Sequence, residues 1–167
     1  MTVAPSDASL RTHAESLWVA LSAQLPGLSI EVLPTVDSTN TRLMQQAREG
    51  LVEPTVLVAE TQTAGRGRMG KAWHTATHRA LTFSLGLPLA PVDWSGLSLV
   101  VGLGVARSLH PELRLKWPND LWLGDAGRKL AGVLIETIAL PTSSPSSAPV
   151  RRRRKPAPRP ESRAGRR

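Results

Sequence analysis

Apolar residues recur along this chain with two distinct periods, and polar or glycine-rich segments separate the blocks. From Ser9 to Leu25, the residues Leu10, Ala14, Leu17, Leu21 and Leu25 fall on one helical face behind the capping residues Ser6 and Asp7, which predicts an amphipathic helix stopped by Pro26-Gly27. Ser29 to Leu33 predicts a short strand. Asp37-Ser38-Thr39-Asn40 then offers successive polar residues suited to a helix N-terminus, ahead of a helical stretch through Leu43, Met44 and Ala47 that ends at Gly50. Thr55–Ala59 and Ala80–Leu87 predict strands, the second alternating Leu81, Phe83, Leu85 and Leu87 with small or polar residues. A polar, glycine-containing loop, Glu60 to His78, lies between them.

Leu97–Leu109 is apolar all round and long enough for a helix, so it predicts a buried one, with close packing at Gly102 and Gly104. Leu113–Trp117, Leu121–Leu123 and Leu130–Ile135 predict three short strands, the last two joined by the turn Gly124-Asp125-Ala126-Gly127. After Leu140 the pattern stops: Val150 is the last branched aliphatic residue, and Pro, Ser, Ala and Arg supply nearly everything else. Such a stretch buries too little apolar area to offset the entropy of ordering it, and is expected to be disordered. The organisation expected is therefore an N-terminal helical segment over 1–28, a folded domain over 29–138 and a Pro/Ser/Arg-rich tail over 139–167.

Charge sharpens that division. The chain has 167 residues and a formal net charge of +8, which on its face suggests a nucleic acid or an anionic membrane. Up to Leu140, however, basic and acidic residues balance at 12 each, and the excess lies beyond it in nine basic residues, Arg151–Lys155 among them, against the single acid Glu161. A neutral body with a cationic tail replaces a basic globular domain. The absence of Cys excludes disulfide staples. No apolar run near the length of a membrane span and no signal-peptide pattern is present, so a cytoplasmic protein is expected.

Four segments carry candidate chemistry. Gly65-Arg66-Gly67-Arg68-Met69-Gly70 fits the dinucleotide fingerprint in letters, but four residues separate it from the preceding strand and no packed helix start follows, which argues against a Rossmann site. It reads better as a glycine-permitted loop closing over a ligand, with the forked guanidiniums of Arg66 and Arg68 meeting a carboxylate or phosphate. In Lys116-Trp117-Pro118-Asn119-Asp120-Leu121, Asn119 and Asp120 either bond their own backbone in a turn or orient a substrate or Mg²⁺-bound phosphate, with Lys116 as a further cation. Lys129 opens Lys129-Leu130-Ala131-Gly132-Val133-Leu134-Ile135-Glu136, either as a soluble strand edge or as positive charge aimed at an attacked phosphate. Ser38, Thr39 and Asn40 either cap a helix or bind a polar head group that needs donors and acceptors together. No histidine stands at metal-ligand spacing and no Ser-His-Asp set is visible, so no protein metal cage and no triad is assigned.

In this order, Asp37–Asn40, Glu60–Gly70, Lys116–Leu121 and Lys129–Glu136 resemble the biotin–protein ligases. That resemblance implies an α+β fold, a mixed β-sheet with packed helices related to the catalytic domain of class II aminoacyl-tRNA synthetases. It implies a two-step reaction, biotin and ATP giving biotinyl-5′-AMP and pyrophosphate, with Mg²⁺, then transfer of biotin to a lysine of a biotin carboxyl carrier protein such as that of acetyl-CoA carboxylase. Carried onto this chain, it makes Ser38, Thr39, Asn40, Gln62, Gly65, Arg66, Gly67, Arg68 and Lys129 the residues around biotin and its adenylate, with Arg68 and Lys129 catalytic. It also implies that Trp73 belongs to the closing loop; Trp117 and Trp122 are expected in core or sheet packing. No specific nucleic acid and no membrane is expected as partner.

The family pattern continues past Glu136 with further strands, a Gly-x-Asn segment and a small barrel domain, none of which follows here. A catalytic domain without an N-terminal DNA-binding domain, and truncated at the C-terminal side by loss of frame near Ile138–Thr142, is the expectation. Two other readings stand beside it: a lipoate-type protein ligase, and an inactive fragment that binds anions or nucleic acid nonspecifically through its tail.

Overall fold

A computed structural model of the chain describes residues 7–74, 80–124 and 127–140. Helix α1 (Asp7–Leu21) ends one turn before the predicted Leu25. The backbone still turns there, since the amides of Gln24 and Leu25 both donate to Leu21 O at 2.9 Å, the shorter-range bond being of 3₁₀ type. Gly27, at φ +80°, reverses the chain. Trp18 Nε1 donates to Leu28 O at 2.9 Å and ties α1 to the start of β1 (Ser29–Val36).

β1, β2 (Thr55–Gln62) and β3 (Thr82–Gly86) form one sheet with β2 central, β1 parallel to it and β3 antiparallel. Two predicted ends move. β1 continues beyond Leu33 because Pro34 drops out of the pairing between Leu33↔Ala59 and Thr35↔Thr61, which an edge strand tolerates. β2 continues beyond Ala59 because Thr35 and Val36 give the polar run Glu60-Thr61-Gln62 a partner. Pairing, not hydrophobicity, carries β2 to Gln62.

Ser38 is the N-cap of α2 (Thr39–Arg48), its Oγ accepting from Thr41 N at 3.4 Å, and Gly50 at φ +88° follows the helix end as predicted. α2 packs across β2 and β3, over the fully buried Leu57 and the buried Ala59. Gly86 leaves room for Leu43, whose Cδ1 would lie 3.5 Å from any added Cβ. The polar face of β3, Thr82 and Ser84, therefore turns toward α2, while Leu81, Phe83 and Leu85 remain exposed.

α3 (Leu97–Leu109) has the predicted bounds but not the predicted burial. Gly102 and Ala106 are buried against the second sheet, whereas Val100 and Leu109 are 67% and 62% exposed, because among the described residues only β4 and β5 pack on this helix. Close packing holds at Gly102, where a Cβ would meet Leu115 Cδ2 at 2.7 Å, and not at Gly104, where nothing lies within 4 Å.

The second sheet is an antiparallel meander of β4 (Leu113–Lys116), β5 (Asp120–Leu123) and β6 (Arg128–Gly132). Its core is Leu113 and the fully buried Leu121 against Ala106. β6 begins earlier than the predicted Leu130 and ends before Val133, where Val133 N donates to Asn119 O and Asn119 Nδ2 donates to Val133 O, both at 2.9 Å. Those two bonds fasten the end of β6 to the residue before β5. Gly124 and Gly127 bracket the predicted turn with positive φ and a 3.2 Å bond; Asp125 and Ala126, like the tail beyond Leu140, lie outside the described residues.

Candidate functional site

The N-terminus of α2 and the end of β2 meet, and their polar groups bond one another. Ser38 and Thr39 are buried. Thr39 N and Thr39 Oγ1 both donate to Gln62 Oε1, at 2.8 and 3.0 Å. A backbone N–H can only donate, so Gln62 must present its oxygen to Thr39 and turn its NH2 the other way, toward Gly65. Buried Ser84 stands within hydrogen-bond reach of two acceptors, Thr39 Oγ1 at 2.7 Å and Asn40 Oδ1, and its single proton serves one of them at a time.

The loop after β2 crosses in front of this cluster. Gly65 is buried below it, where a Cβ would collide with Trp73 O at 2.6 Å and Gln62 Nε2 at 2.8 Å. Trp73 N donates to Gly65 O at 2.9 Å and Gly67 N to Lys71 O at 2.7 Å, so the loop folds back on itself as a narrow β-like tongue. Met69 at its tip has φ 57° and is 92% exposed.

Lys129 reaches the site from the second sheet. Its Nζ lies 2.7 Å from Asp120 Oδ1 and 4.8 Å from the Trp73 ring centroid. The ion pair and the aromatic face hold the ammonium at one place on the cavity wall.

These parts enclose a cavity of about 530 Å³ between the two sheets. Hydroxyls and amides of Ser38, Thr39, Asn40, Gln62 and Ser84 line the first-sheet side; Asn119, Asp120 and Lys129 line the second; Arg66, Gly67, Arg68 and Trp73 form the loop wall. A second cavity of about 300 Å³ adjoins it, shares Arg68, Asn119, Val133 and Leu134, and extends to the start of α3. One cleft thus has a neutral polar end, a cationic middle and a further chamber.

Of the residues singled out from the sequence, Ser38, Thr39, Asn40, Gln62, Arg66, Gly67, Arg68, Lys129, Asn119 and Asp120 converge on this cavity. Gly65 supports the loop from beneath. Lys116 does not join them: it shares a sheet face with its cross-strand partner Asp120, but its Nζ sits 3.6 Å above the Trp122 ring and it lines neither cavity, which corrects its assignment to a phosphate. Trp117 is 79% exposed and packs in no core, a second correction, whereas Trp122 is partly buried beneath Lys116. Neither Asn119 nor Asp120 bonds its own backbone in the described contacts; one braces Val133 and the other pairs Lys129. Ser84 and Glu136 went unnoticed in the sequence. Ser84 had one signal, a hydroxyl on the inner face of an apolar strand; Glu136 had none beyond its charge.

The chain is thus an α+β protein with a polar cleft between two small sheets, bordered by a glycine-arginine loop and by a lysine on a strand. Residues 32–145 match the Biotin/lipoate A/B protein ligase family, and the chain belongs to that family. It is 44% identical over 119 residues, 68% of its length, to the bifunctional ligase/repressor BirA of Escherichia coli, and 39% identical over 118 residues, 64% of its length, to the biotin–[acetyl-CoA-carboxylase] ligase of Mycobacterium tuberculosis. The matched stretch spans 36% and 44% of those proteins. Among solved structures, the biotin protein ligase of Aquifex aeolicus in complex with biotin and ATP aligns with a TM-score of 0.54 at 38% identity, covering 65% of this chain and 47% of that one. The fold class expected from the motifs is the one observed. No helix among the described residues is long and apolar enough to cross a membrane.

Proposed function

We propose that the chain carries the biotin-binding and adenylate-forming site of an ATP-dependent biotin–protein ligase, which activates biotin as biotinyl-5′-AMP and passes it to a lysine of a biotin carboxyl carrier protein. The observation that supports this most is the gathering, in one cleft, of an oriented amide and hydroxyl cluster with a lysine and a glycine-arginine loop. A ureido ring offers two N–H donors and one carbonyl. Gln62 NH2 suits the carbonyl, and the lone pairs of Ser38, Thr39 and Ser84 suit the N–H groups. Lys129 then stands where the biotin carboxylate would arrive, and Arg68, shared by both cavities, where an α-phosphate would.

In the first step a carboxylate oxygen bonds to the α-phosphorus and the bond to the pyrophosphate oxygen breaks; the residues contribute position and charge rather than protons. Lys129 and Arg68 offset the repulsion between two anions. Asp120 is the carboxylate on the wall of the larger cavity, so a magnesium ion brought in by the triphosphate would be held mainly by phosphate and water oxygens, with Asp120 and Asn119 as its protein contacts, and would supply neutralisation of the phosphate charge. In the second step the loop would keep water from the mixed anhydride. The biotin-ligase names of the relatives favour biotin over a lipoyl substrate within the family.

Thermal unfolding with biotin, lipoate or neither tests this directly. Biotin at about a hundred times its Kd should add about 2.7 kcal/mol of stability, visible as a raised Tm, and lipoate should not. Lys129→Ala should shrink the biotin shift and slow adenylate formation from labelled ATP by about 100-fold or more. No shift at saturating biotin would overturn the assignment.

A further inference from the structure

The two loop arginines have different surroundings. Arg66 Nη2 donates to Thr41 Oγ1 at 2.9 Å and lies 3.6 Å from Glu136 Oε2. The same Glu136 oxygen accepts from Asn40 Nδ2 at 3.0 Å. The Arg68 side chain has no hydrogen bond or ion pair among the described residues, and it borders both cavities.

We propose that Glu136 is a positioning residue, the docking point that holds the Arg66 half of the loop over the cavity and leaves Arg68 free for the ligand. Three elements meet at this carboxylate: the β2–β3 loop through Arg66, the first turn of α2 through Asn40, and the segment leaving β6 that bears Glu136 itself. Without such a tie, a loop with glycines at three of six positions and a tip at positive φ has no reason to choose the closed conformation. Charge points the same way. A bare carboxylate beside an anion-binding cleft would repel the ligand, and pairing with Arg66 neutralises it. Asp120 pairs with Lys129 likewise, and Arg68 and Lys71 add further positive charge to the wall. Asn40 is consumed by the same tie, its oxygen facing Ser84 and its NH2 facing Glu136, which makes it a brace for the loop rather than a ligand contact.

This division of labour rests on the ligase reading only for the ligand's identity; the docking itself does not. The test is limited trypsin digestion of the full chain, following cleavage after Arg68 against cleavage after Arg48 in α2. The pair is partly exposed, so its loss should speed cleavage after Arg68 by about two- to five-fold in Glu136→Gln and in Arg66→Glu, with Arg48 unchanged. The charge swap Arg66→Glu with Glu136→Arg should bring the rate back toward wild type. Raising salt should speed wild-type cleavage and leave Glu136→Gln unaffected. Unchanged cleavage in Glu136→Gln, failure of the swap to restore protection, or parallel exposure of Arg48 would each overturn the proposal. Biotin affinity measured in the same samples should fall by a similar factor in Glu136→Gln. A wild-type chain that binds no biotin would sink the ligase reading and leave the digestion result standing.

Discussion

Gly65 and Gly102 are both hemmed in, but by different kinds of atoms. At Gly65 the nearest atom to an added Cβ is a backbone oxygen, Trp73 O at 2.6 Å, which cannot move without opening the loop. At Gly102 it is Leu115 Cδ2 at 2.7 Å, the end of a side chain that can rotate away. Gly65→Ala should therefore cost about 1–3 kcal/mol by overpacking, while Gly102→Ala should fall within about 1 kcal/mol of neutral because helix propensity returns about as much as repacking removes. Urea unfolding of the two variants compares them, and a larger loss at Gly102 would show that the seam between α3 and β4 does not yield. The same contrast explains what was legible at this scale. Ser38 was readable as a cap because capping is local, and the four motifs were readable because their residue types recur together. Lys116 shares a sheet face with Asp120, yet its ammonium sits over the Trp122 ring and outside the cavity lining, a choice of contact that strand alternation does not record.

At the scale of elements, α3 shows how a helix start is set up without a capping side chain at its N-cap. Gly96 holds that position in the left-handed region, and the order comes from just upstream, where Asp93 accepts from Ser95 Oγ at 2.6 Å and from Ser95 N at 2.8 Å. The hydroxyl bond first, then the amide bond, stabilise the charged carboxylate and hold its pKa below the ordinary 3.8. A lowered folded value means that this stabilisation is present above the unfolded pKa and is lost as the pH falls through the folded one. Ser95→Ala should bring the Asp93 pKa up toward its ordinary value in an NMR titration; no change would mean that the hydroxyl does not matter. The bounds of α3 were readable from its sequence, since apolar length and flanking turns are local. Its burial was not, because a helix apolar on all sides does not say which sides find a partner. β2 is the complementary case: Glu60-Thr61-Gln62 has no strand signature and is a strand only because β1 lies beside it.

Across the whole molecule, charge and fold are carried by different residues. The body up to Leu140 is neutral, and the surplus sits in the last 27 residues, outside the described ones. Any binding to DNA at low salt should come from that tail: it should weaken steeply as salt rises and vanish on removal of residues 141–167, with biotin-dependent stabilisation unchanged. Salt-titrated binding of the two chains checks this, and persistent DNA binding by the shortened chain would place a basic surface on the body. Leu81, Phe83 and Leu85 leave an apolar face along β3 that no described element covers. By itself the sequence determined the elements, the helix cap, the neutral body and the four motifs, since propensity, period and residue type are properties of neighbours along the chain. Only the tertiary structure decided that Gln62 gives its oxygen to Thr39, that Lys129 pairs with Asp120, that the Arg66 side chain is tied to Glu136 while that of Arg68 is not, and that Lys116 lies over Trp122. Each of those depends on atoms far apart in sequence competing for one position, and local pattern carries no record of which partner wins.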